Sequence, residues 1–379
     1  MKQLNVLYIL TKLELGGAQK VCLTLHQGLV HDNHNAMLIS GTEGVLVEEA
    51  KKTPGCILLD SFKRELSIRG IAQELKTFFG LIRLMHRYKA QFPNIIVHTH
   101  STKAGILGRW AALLAGIKHR VHTIHGFGFH DFQSWPEWVL FVALEWVTTL
   151  ITTQIICVSH KDQVLGSKLL LGFAKKSLII RAAVDDNHFI EPARKLSPSR
   201  TKITIGAISC FKPQKNLFDL LEAFAVVHRA HPQTTLEIVG DGTQRTAIEW
   251  WIKDHNLQNV ITLHGWQSNV QKFLHSWDIF TLSSLWEGLP CSVIEARLAR
   301  LAVVAYDVGG IGEVVQNNLN GYLVTAGDKF ALAQHLQNLI EDPQLLNRLQ
   351  NHVQDLSSFS ARSMVTQHES LYTKLEFAR

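Results

Sequence analysis

The chain has 379 residues, and 38 Lys plus Arg against 32 Asp plus Glu leave a net charge of +6. At about 100–200 residues per domain this length holds two domains, or three at most. A hydrophobic fraction of 46% excludes a disordered chain. Six surplus positive charges are too few to argue for nucleic acid, though they fit an anionic substrate or membrane surface.

Short β-rich apolar runs alternate with helix-like segments along nearly the whole chain. In the first half the expected strands are Val6–Leu10, Ala36–Ser40, Cys56–Leu59, Ile95–Thr99, Arg120–Ile124, Gln154–Val158 and Ser177–Arg181. In the second half they are Ile203–Ile208, Thr235–Val239, Val260–His264, Ile279–Leu282, Val303–Tyr306 and Tyr322–Val324. Between them lie segments such as 216–230, where Leu217, Leu220, Leu221, Phe224 and Val227 recur at helical spacing. Strands that are apolar throughout and separated by helices predict an α/β fold with parallel sheets covered on both faces. A polar, proline-containing stretch at 185–202 reads as a linker between two doubly wound domains, 1–184 and 203–360. A last helix, 361–379, is expected to pack back on the first domain. Two such domains would face one another across a cleft at the carboxyl ends of their strands, where open α/β sheets bind ligands.

The apolar run Val6–Leu10 is too short for a signal-peptide core. The longest apolar stretch, 138–156, contains Glu145, Gln154 and four threonines; a charge near its middle argues for a helix running into a strand rather than a membrane span. The five cysteines, Cys22, Cys56, Cys157, Cys210 and Cys291, form no C-x-x-C pair. No disulfide framework or zinc knuckle is expected, and a cytoplasmic, reducing compartment is.

Four segments carry candidate chemistry. In SSLWEGLPCSVIEA a strand ends near Leu282, a loop holds Glu287 and Gly288, and Pro290 suits the first turn of a new helix. The amides of Cys291 and Ser292 would sit at that helix's start and favour a phosphate. Glu287 and Glu295 would flank it as acceptors for sugar hydroxyls, although the spacing alone is equally that of an ordinary N-terminal acid and a solvated helical Glu. In FKPQKN, Lys212 and Lys215 follow a strand and could neutralise a diphosphate, with Asn216 near a helix cap; in isolation they read as solvated loop lysines. Gly16-Gly17 lies between the first strand and a helix and lets a ligand approach the backbone. It is not G-x-G-x-x-G, which weakens a nicotinamide reading. His98, His100, His122, His125 and His130 form the fourth group: alternate strand residues point into one buried layer, while His125, ending a strand before GFG, should project into the cleft. No D-x-D is present to hold a divalent ion, and no metal is expected.

Taken together and in order, GGAQKV, HTHSTKAG, TIHGFGFH, ICVSH, FKPQKN, IVGDG, LHGW and SSLWEGLPCSVIEA resemble the retaining glycosyltransferases of family 4, whose fold, GT-B, consists of two Rossmann-like domains. The resemblance implies that Glu287 contacts the donor sugar and Glu295 the ribose, and that Gly288, Leu289, Pro290, Cys291 and Ser292 hold sugar and diphosphate. It implies further that Lys215 neutralises the diphosphate, Gly17 approaches it, His125 lies near the sugar's C6 group and Trp266 near the base. Cys210 stands where family members commonly carry an arginine, and Lys212 could supply that charge. The implied reaction moves a hexose or N-acetylhexosamine from a nucleoside-diphosphate sugar, UDP first and GDP-mannose second, to a lipid-linked or glycan acceptor of surface polysaccharide, with no cofactor. A sugar-nucleotide 2-epimerase and a catalytically silent nucleotide-sugar-binding subunit are the alternatives. Phe127, Phe129, Phe132, Trp135 and Trp138, near Lys103, Arg109, Lys118 and Arg120, suggest peripheral contact with an anionic inner membrane.

Overall fold

A computed structural model describes residues 3–62, 68–185, 189–190 and 202–377. The chain divides into two compact units, Met1–Ala183 with Ala361–Arg379, and Val184–Ser360. Most of the expected linker, 186–188 and 191–201, lies outside the described residues.

The first unit holds strands β1 (Asn5–Ile9), β2 (Asn35–Ser40), β3 (Cys56–Leu58), β4 (Ile96–His100), β5 (His119–Ile124), β6 (Gln154–Cys157) and β7 (Ser177–Ile179). Its helices are α1 (Gly17–His31), α2 (Val47–Lys51), α3 (Ile68–Gln91), α4 (Thr102–Leu114), α5 (Trp135–Ile151), α6 (His160–Leu169) and α7 (Phe173–Lys176). The second holds β8 (Ile203–Ile208), α8 (Leu217–Ala230), β9 (Thr234–Val239), α9 (Arg245–Asp254), β10 (Ile261–Leu263), α10 (Gln271–Ser276) and β11 (Ile279–Leu282). It continues through α11 (Cys291–Leu298), β12 (Ala302–Tyr306), β13 (Gly321–Val324), α12 (Lys329–Glu341) and α13 (Pro343–Asn351). The last helix, α14 (Ala361–Phe377), belongs to the first unit and packs on α1. All thirteen expected strands are present, with ends shifted by one or two residues, and the 138–156 stretch is indeed a helix followed by a strand.

Every strand pairing is parallel. The sheet orders are β3-β2-β1-β4-β5-β6-β7 and β10-β9-β8-β11-β12-β13. Because both faces are covered, the strands are apolar at successive positions: Val6, Leu7, Tyr8 and Ile9 are all buried, as are Ala302 to Tyr306. No described helix is long and apolar enough to cross a membrane.

The first unit has polar groups inside its core. His98 is buried, its Nδ1 2.6 Å from the Tyr372 hydroxyl of α14 and its Nε2 2.7 Å from the Thr123 hydroxyl of β5. Tyr372 in turn meets the Tyr8 hydroxyl of β1 at 3.1 Å. His122 is held by the Thr99 hydroxyl and carbonyl, at 2.9 and 3.0 Å. His98 and His100 therefore line one buried layer, with His122 on the opposite face of the sheet against α4, and hydrogen bonds through the first layer join the last helix to the sheet.

Burial pushes His98, His100 and His122 well below the ordinary imidazole range, His368 to about 4 and His125 to about 3. The unfolded chain binds protons on these rings near 6.5, while the folded unit keeps them neutral. Stability is thus complete above pH 6.5 and is lost as pH falls from there toward the folded values. The urea midpoint should be clearly lower at pH 5.5 than at pH 7.5; equal midpoints would contradict the neutral layer.

Candidate functional site

In the second unit the connections leave β8 toward β9 and leave β11 toward β12, in opposite directions. The chain splays apart outside the carboxyl ends of β8 and β11, which is where open α/β sheets bind ligands. Two of the segments singled out by sequence end there. After β8 come Lys212 and a 3-10 turn, Pro213–Lys215; after β11 comes the 283–290 loop. The Ser283 hydroxyl donates to the carbonyls of Lys215 (3.1 Å) and Asn216 (3.0 Å). Leu285 N donates to the Gln214 carbonyl (2.9 Å), and the Gln214 side-chain amide donates to the Trp286 carbonyl (2.8 Å). These bonds set the Lys215 ammonium against the Glu287 carboxylate in an ion pair, 72 positions apart in sequence.

Glycines hold both loops in place. Gly309, after β12, has φ +51°, and a Cβ there would lie 2.2 Å from the Glu287 carbonyl oxygen and 2.5 Å from that of Gly288, whose carbonyl accepts from Gly310 N. Gly240 (φ +135°) lies against the Ser209 carbonyl, where a Cβ would sit 1.9 Å away. Only glycine permits these close approaches, which fix the loops carrying Glu287 and Lys212.

α11 begins at Cys291, with Pro290 in the cap position at φ −73° and ψ 116°, so the proline precedes the first turn instead of occupying it. The first amides of α11, including those of Cys291 and Ser292, lie at its positive dipole end. Gly288, Leu289, Pro290 and Cys291 are buried and Ser292 partly so. Glu295 is buried within α11, about one turn deeper. Asn216 takes the expected cap position, but at φ +45° its side chain donates to Asp219 at 2.6 Å and not to a backbone group. Trp266 is exposed after β10, the edge strand two places from β8, so the structure does not bring it to the Lys215–Glu287 pair.

In the first unit the corresponding divergence lies between β1 and β4. The Thr11 and Ser101 hydroxyls bridge these strand ends at 2.8 Å. Gly16, extended at φ −154°, precedes α1, and Gly17 is its first residue. His125 is only partly buried, at the end of β5, with Nε2 2.9 Å from His100 Nδ1. Burial, reinforced by His368, keeps it neutral.

Several residues escaped sequence reasoning. Ser101 adopts φ +66° and ψ 153°, a region nearly restricted to glycine that costs about 1–3 kcal/mol. Nothing in a Ser-Thr pair announces this. Ser284 is buried with its hydroxyl unpartnered among the described residues. Gln214 and Ser283 carry no recognisable pattern, whereas Gly309-Gly310 after a strand was an available signal. Among the described residues no group of three or more His, Cys, Asp or Glu is placed to hold a metal.

Comparison with known proteins agrees with this geometry. Residues 15–165 match Glycosyltransferase Family 4, and residues 190–355 match Glycosyl transferases group 1. The Escherichia coli enzyme named UDP-Gal:alpha-D-GlcNAc-diphosphoundecaprenol alpha-1,3-galactosyltransferase is 28% identical over 370 residues, covering 94% of each chain. The O-antigen biosynthesis glycosyltransferase WbnH of E. coli is 27% identical over 316 residues, 83% of this chain and 84% of its own. Among solved structures, Anabaena HepE with UDP and glucose superposes with a TM-score of 0.81 at 19% identity, over 98% of this chain and 100% of that one. Sucrose-phosphate synthase from Thermosynechococcus elongatus gives 0.82 at 18% identity over the whole of both chains. The two doubly wound units thus have the GT-B fold of glycosyltransferases. The chain belongs to glycosyltransferase family 4 and is related to enzymes of bacterial surface-polysaccharide synthesis.

The single Ser283 hydroxyl hydrogen, shared between the carbonyls of Lys215 and Asn216, holds the backbone beneath Lys215 and is worth roughly 1 kcal/mol. Ser283→Ala should cost about 1 kcal/mol in urea unfolding; an unchanged midpoint would show that the turn is held by other means.

Proposed function

We propose that the protein transfers a hexose or N-acetylhexosamine from a UDP-sugar to a lipid-linked acceptor, with retention of anomeric configuration. The observation that carries this reading is the Lys215–Glu287 pair at the divergence of β8 and β11, four residues before the first turn of α11. UDP is favoured over GDP because the relatives point that way. The E. coli galactosyltransferase is named for UDP-Gal, and HepE is described in complex with UDP-glucose. The same galactosyltransferase is named for a diphosphoundecaprenol-linked acceptor, which supports a lipid diphosphate here and, with it, working contact with a membrane.

In this reading the acceptor oxygen forms a bond to the sugar's anomeric carbon as that carbon's bond to the diphosphate oxygen breaks. The acceptor proton passes to the departing diphosphate, on the face the leaving group vacates, so no protein nucleophile is required. Lys215, Lys212 and the amides at the start of α11 stabilise the charge developing on the diphosphate, which is electrostatic work that needs no metal. Glu287 has two tasks. It positions the Lys215 ammonium before the donor arrives, and it accepts from sugar hydroxyls once the ammonium turns to the phosphate. Glu295 takes the ribose, the segment Gly288 to Ser292 encloses sugar and phosphate, and the Gly16-Gly17 backbone approaches the diphosphate, with the acceptor nearby in the first unit. His125, neutral and tied through Nε2 to His100, offers Nδ1 to a sugar hydroxyl and does not serve as a proton donor near pH 7.

UDP should raise the melting temperature more than GDP, since a ligand that binds only the folded state stabilises it; no shift with either nucleotide would overturn the donor assignment. Lys215→Ala should slow transfer by about 100-fold, as loss of one charge-stabilising group does. Glu287→Gln should bind free UDP more tightly, because a carboxylate no longer competes for the ammonium, while transferring sugar more slowly. Unchanged kinetics in both variants would contradict the assignment. Donor incubated without acceptor should keep its sugar configuration, whereas an epimerase would change it.

A further inference from the structure

The helix α5 is apolar nearly all round: Trp138 and Val142 pack inward, and so do its few buried polar groups. Its buried side carries Glu145, Thr148 and Thr149, while its outward side carries Trp135, Val139, Leu140, Leu144, Trp146, Val147 and Leu150. Trp135 is 75% exposed, Leu140 56%, Leu150 55% and Trp146 40%, and neighbouring Phe132 is exposed too. A helix on a water-facing surface carries polar residues on its outward side. The inward polar groups are satisfied by the adjacent helix: Arg109 on α4 pairs with Glu145 at 3.0 Å and reaches the Thr152 hydroxyl at 3.1 Å, and Trp110 donates to the Thr148 hydroxyl at 3.1 Å. Of the residues first suggested as a membrane contact, Phe129 and Arg109 are buried and Phe127, Trp138, Lys103 and Arg120 half-buried, while Phe132, Trp135 and Lys118 are exposed. Phe127 stacks on Phe129, Phe129 is buried against Trp138, Arg109 is buried, and Lys103 is paired with Glu74. The exposed apolar surface is the rest of α5.

The carboxyl end of α5 adds a second observation. The last carbonyls of a helix ordinarily take hydrogen bonds from water. Here the Lys176 ammonium donates to the carbonyls of Thr149 and Leu150, both at 3.0 Å, the Arg120 guanidinium to that of Ile151 at 2.6 Å, and the Thr152 hydroxyl to that of Thr148 at 2.7 Å. All four are satisfied by protein donors, as a helix end requires where water is thin. Two of those donors are cations, placed beside exposed Leu150. The only charge on the outward side is Glu137, in the first turn at the opposite end.

We infer that α5 lies in the plane of an anionic phospholipid surface, with Leu140, Leu144, Val147 and Leu150 buried among acyl chains and Arg120 and Lys176 at the headgroups. At 1.5 Å per residue its seventeen residues are about 25 Å long, which suits a helix lying in the interface. Tryptophans near both ends suit that depth as well. The inference deepens the reading of a lipid-linked acceptor by saying which surface meets the bilayer, but its support is the helix itself.

The experiment measures vesicle binding without donor or acceptor, so its result is independent of the assigned reaction. The full chain is floated with vesicles of phosphatidylglycerol and phosphatidylethanolamine, and with phosphatidylcholine alone. Binding is expected to the anionic vesicles and to weaken in salt. Leu140→Glu with Leu144→Glu should reduce the bound fraction at least about tenfold, since two buried apolar groups are replaced by charges. The melting temperature should hold, because both side chains point outward. Trp250→Glu, at an exposed apolar position on α9, should change nothing. As a readout that needs no charged variant, brominated lipids should quench the protein's fluorescence, and Trp135→Phe with Trp146→Phe should remove most of that quenching. Absence of binding to anionic vesicles at low salt would overturn the inference. So would binding indifferent to the paired glutamates, or a dimer in sedimentation equilibrium that those glutamates dissociate, which would assign the face to a second copy of the chain.

Discussion

A lysine and a glutamate 72 residues apart meet at the one edge of the second unit where the sheet's connections diverge, and the local architecture is arranged around that meeting. Neither side chain could hold the other unaided, since both are long and both lose rotamer freedom on pairing. The backbone beneath them is fixed first, by Ser283, Leu285 and Gln214 on one side and by the close approach of Gly309 on the other. The result is an ammonium kept in place against one carboxylate, which the proposed function has it exchange for a diphosphate. That property suits a group that must meet a diphosphate as its charge develops.

The first unit solves a different problem. It places imidazoles, tyrosine hydroxyls and an Arg–Glu pair where a doubly wound domain ordinarily puts aliphatic side chains, and satisfies most of them internally. This polar interior ties α14 to β1 and β4, so the end of the chain becomes part of the unit that begins it. It also takes in the few polar groups of α5, whose outward side is apolar.

How much was legible in the sequence follows from which signals are local. Apolar strand runs and helical periodicity are local, so the thirteen strands, the helix-to-strand reading of 138–156 and the buried histidine layer could be read directly. So could the loops carrying Lys215, Glu287 and the start of α11, because each follows a strand and precedes a helix. Contacts over long separations were not legible. Nothing near Lys215 announces that Glu287 is its partner, or that Ser283 and Gln214 align them. Asn216 takes the cap position the sequence indicates, but nothing local announces that its left-handed backbone sends the side chain to Asp219. The aromatic cluster at 127–138 looked like a surface because aromatic residues give no sign of which way they point. Only the tertiary partners show that Phe127 and Phe129 pack inward, toward Phe173 and Trp138, while Phe132 and Trp135 stay exposed and continue into the outward face of α5. Ser101 was invisible for the same reason, since its strained backbone is imposed by the turn between β4 and α4.

On the proposed reading, Lys215 exchanges its carboxylate partner for the diphosphate of a bound nucleotide. Phosphorus NMR of UDP titrated with the protein reads this directly at the β-phosphate. A clear displacement of that resonance is expected with the unaltered protein, and a clearly smaller one with Lys215→Met at saturating nucleotide, where Lys212 and the α11 amides remain. An equal displacement in both proteins would contradict that reading.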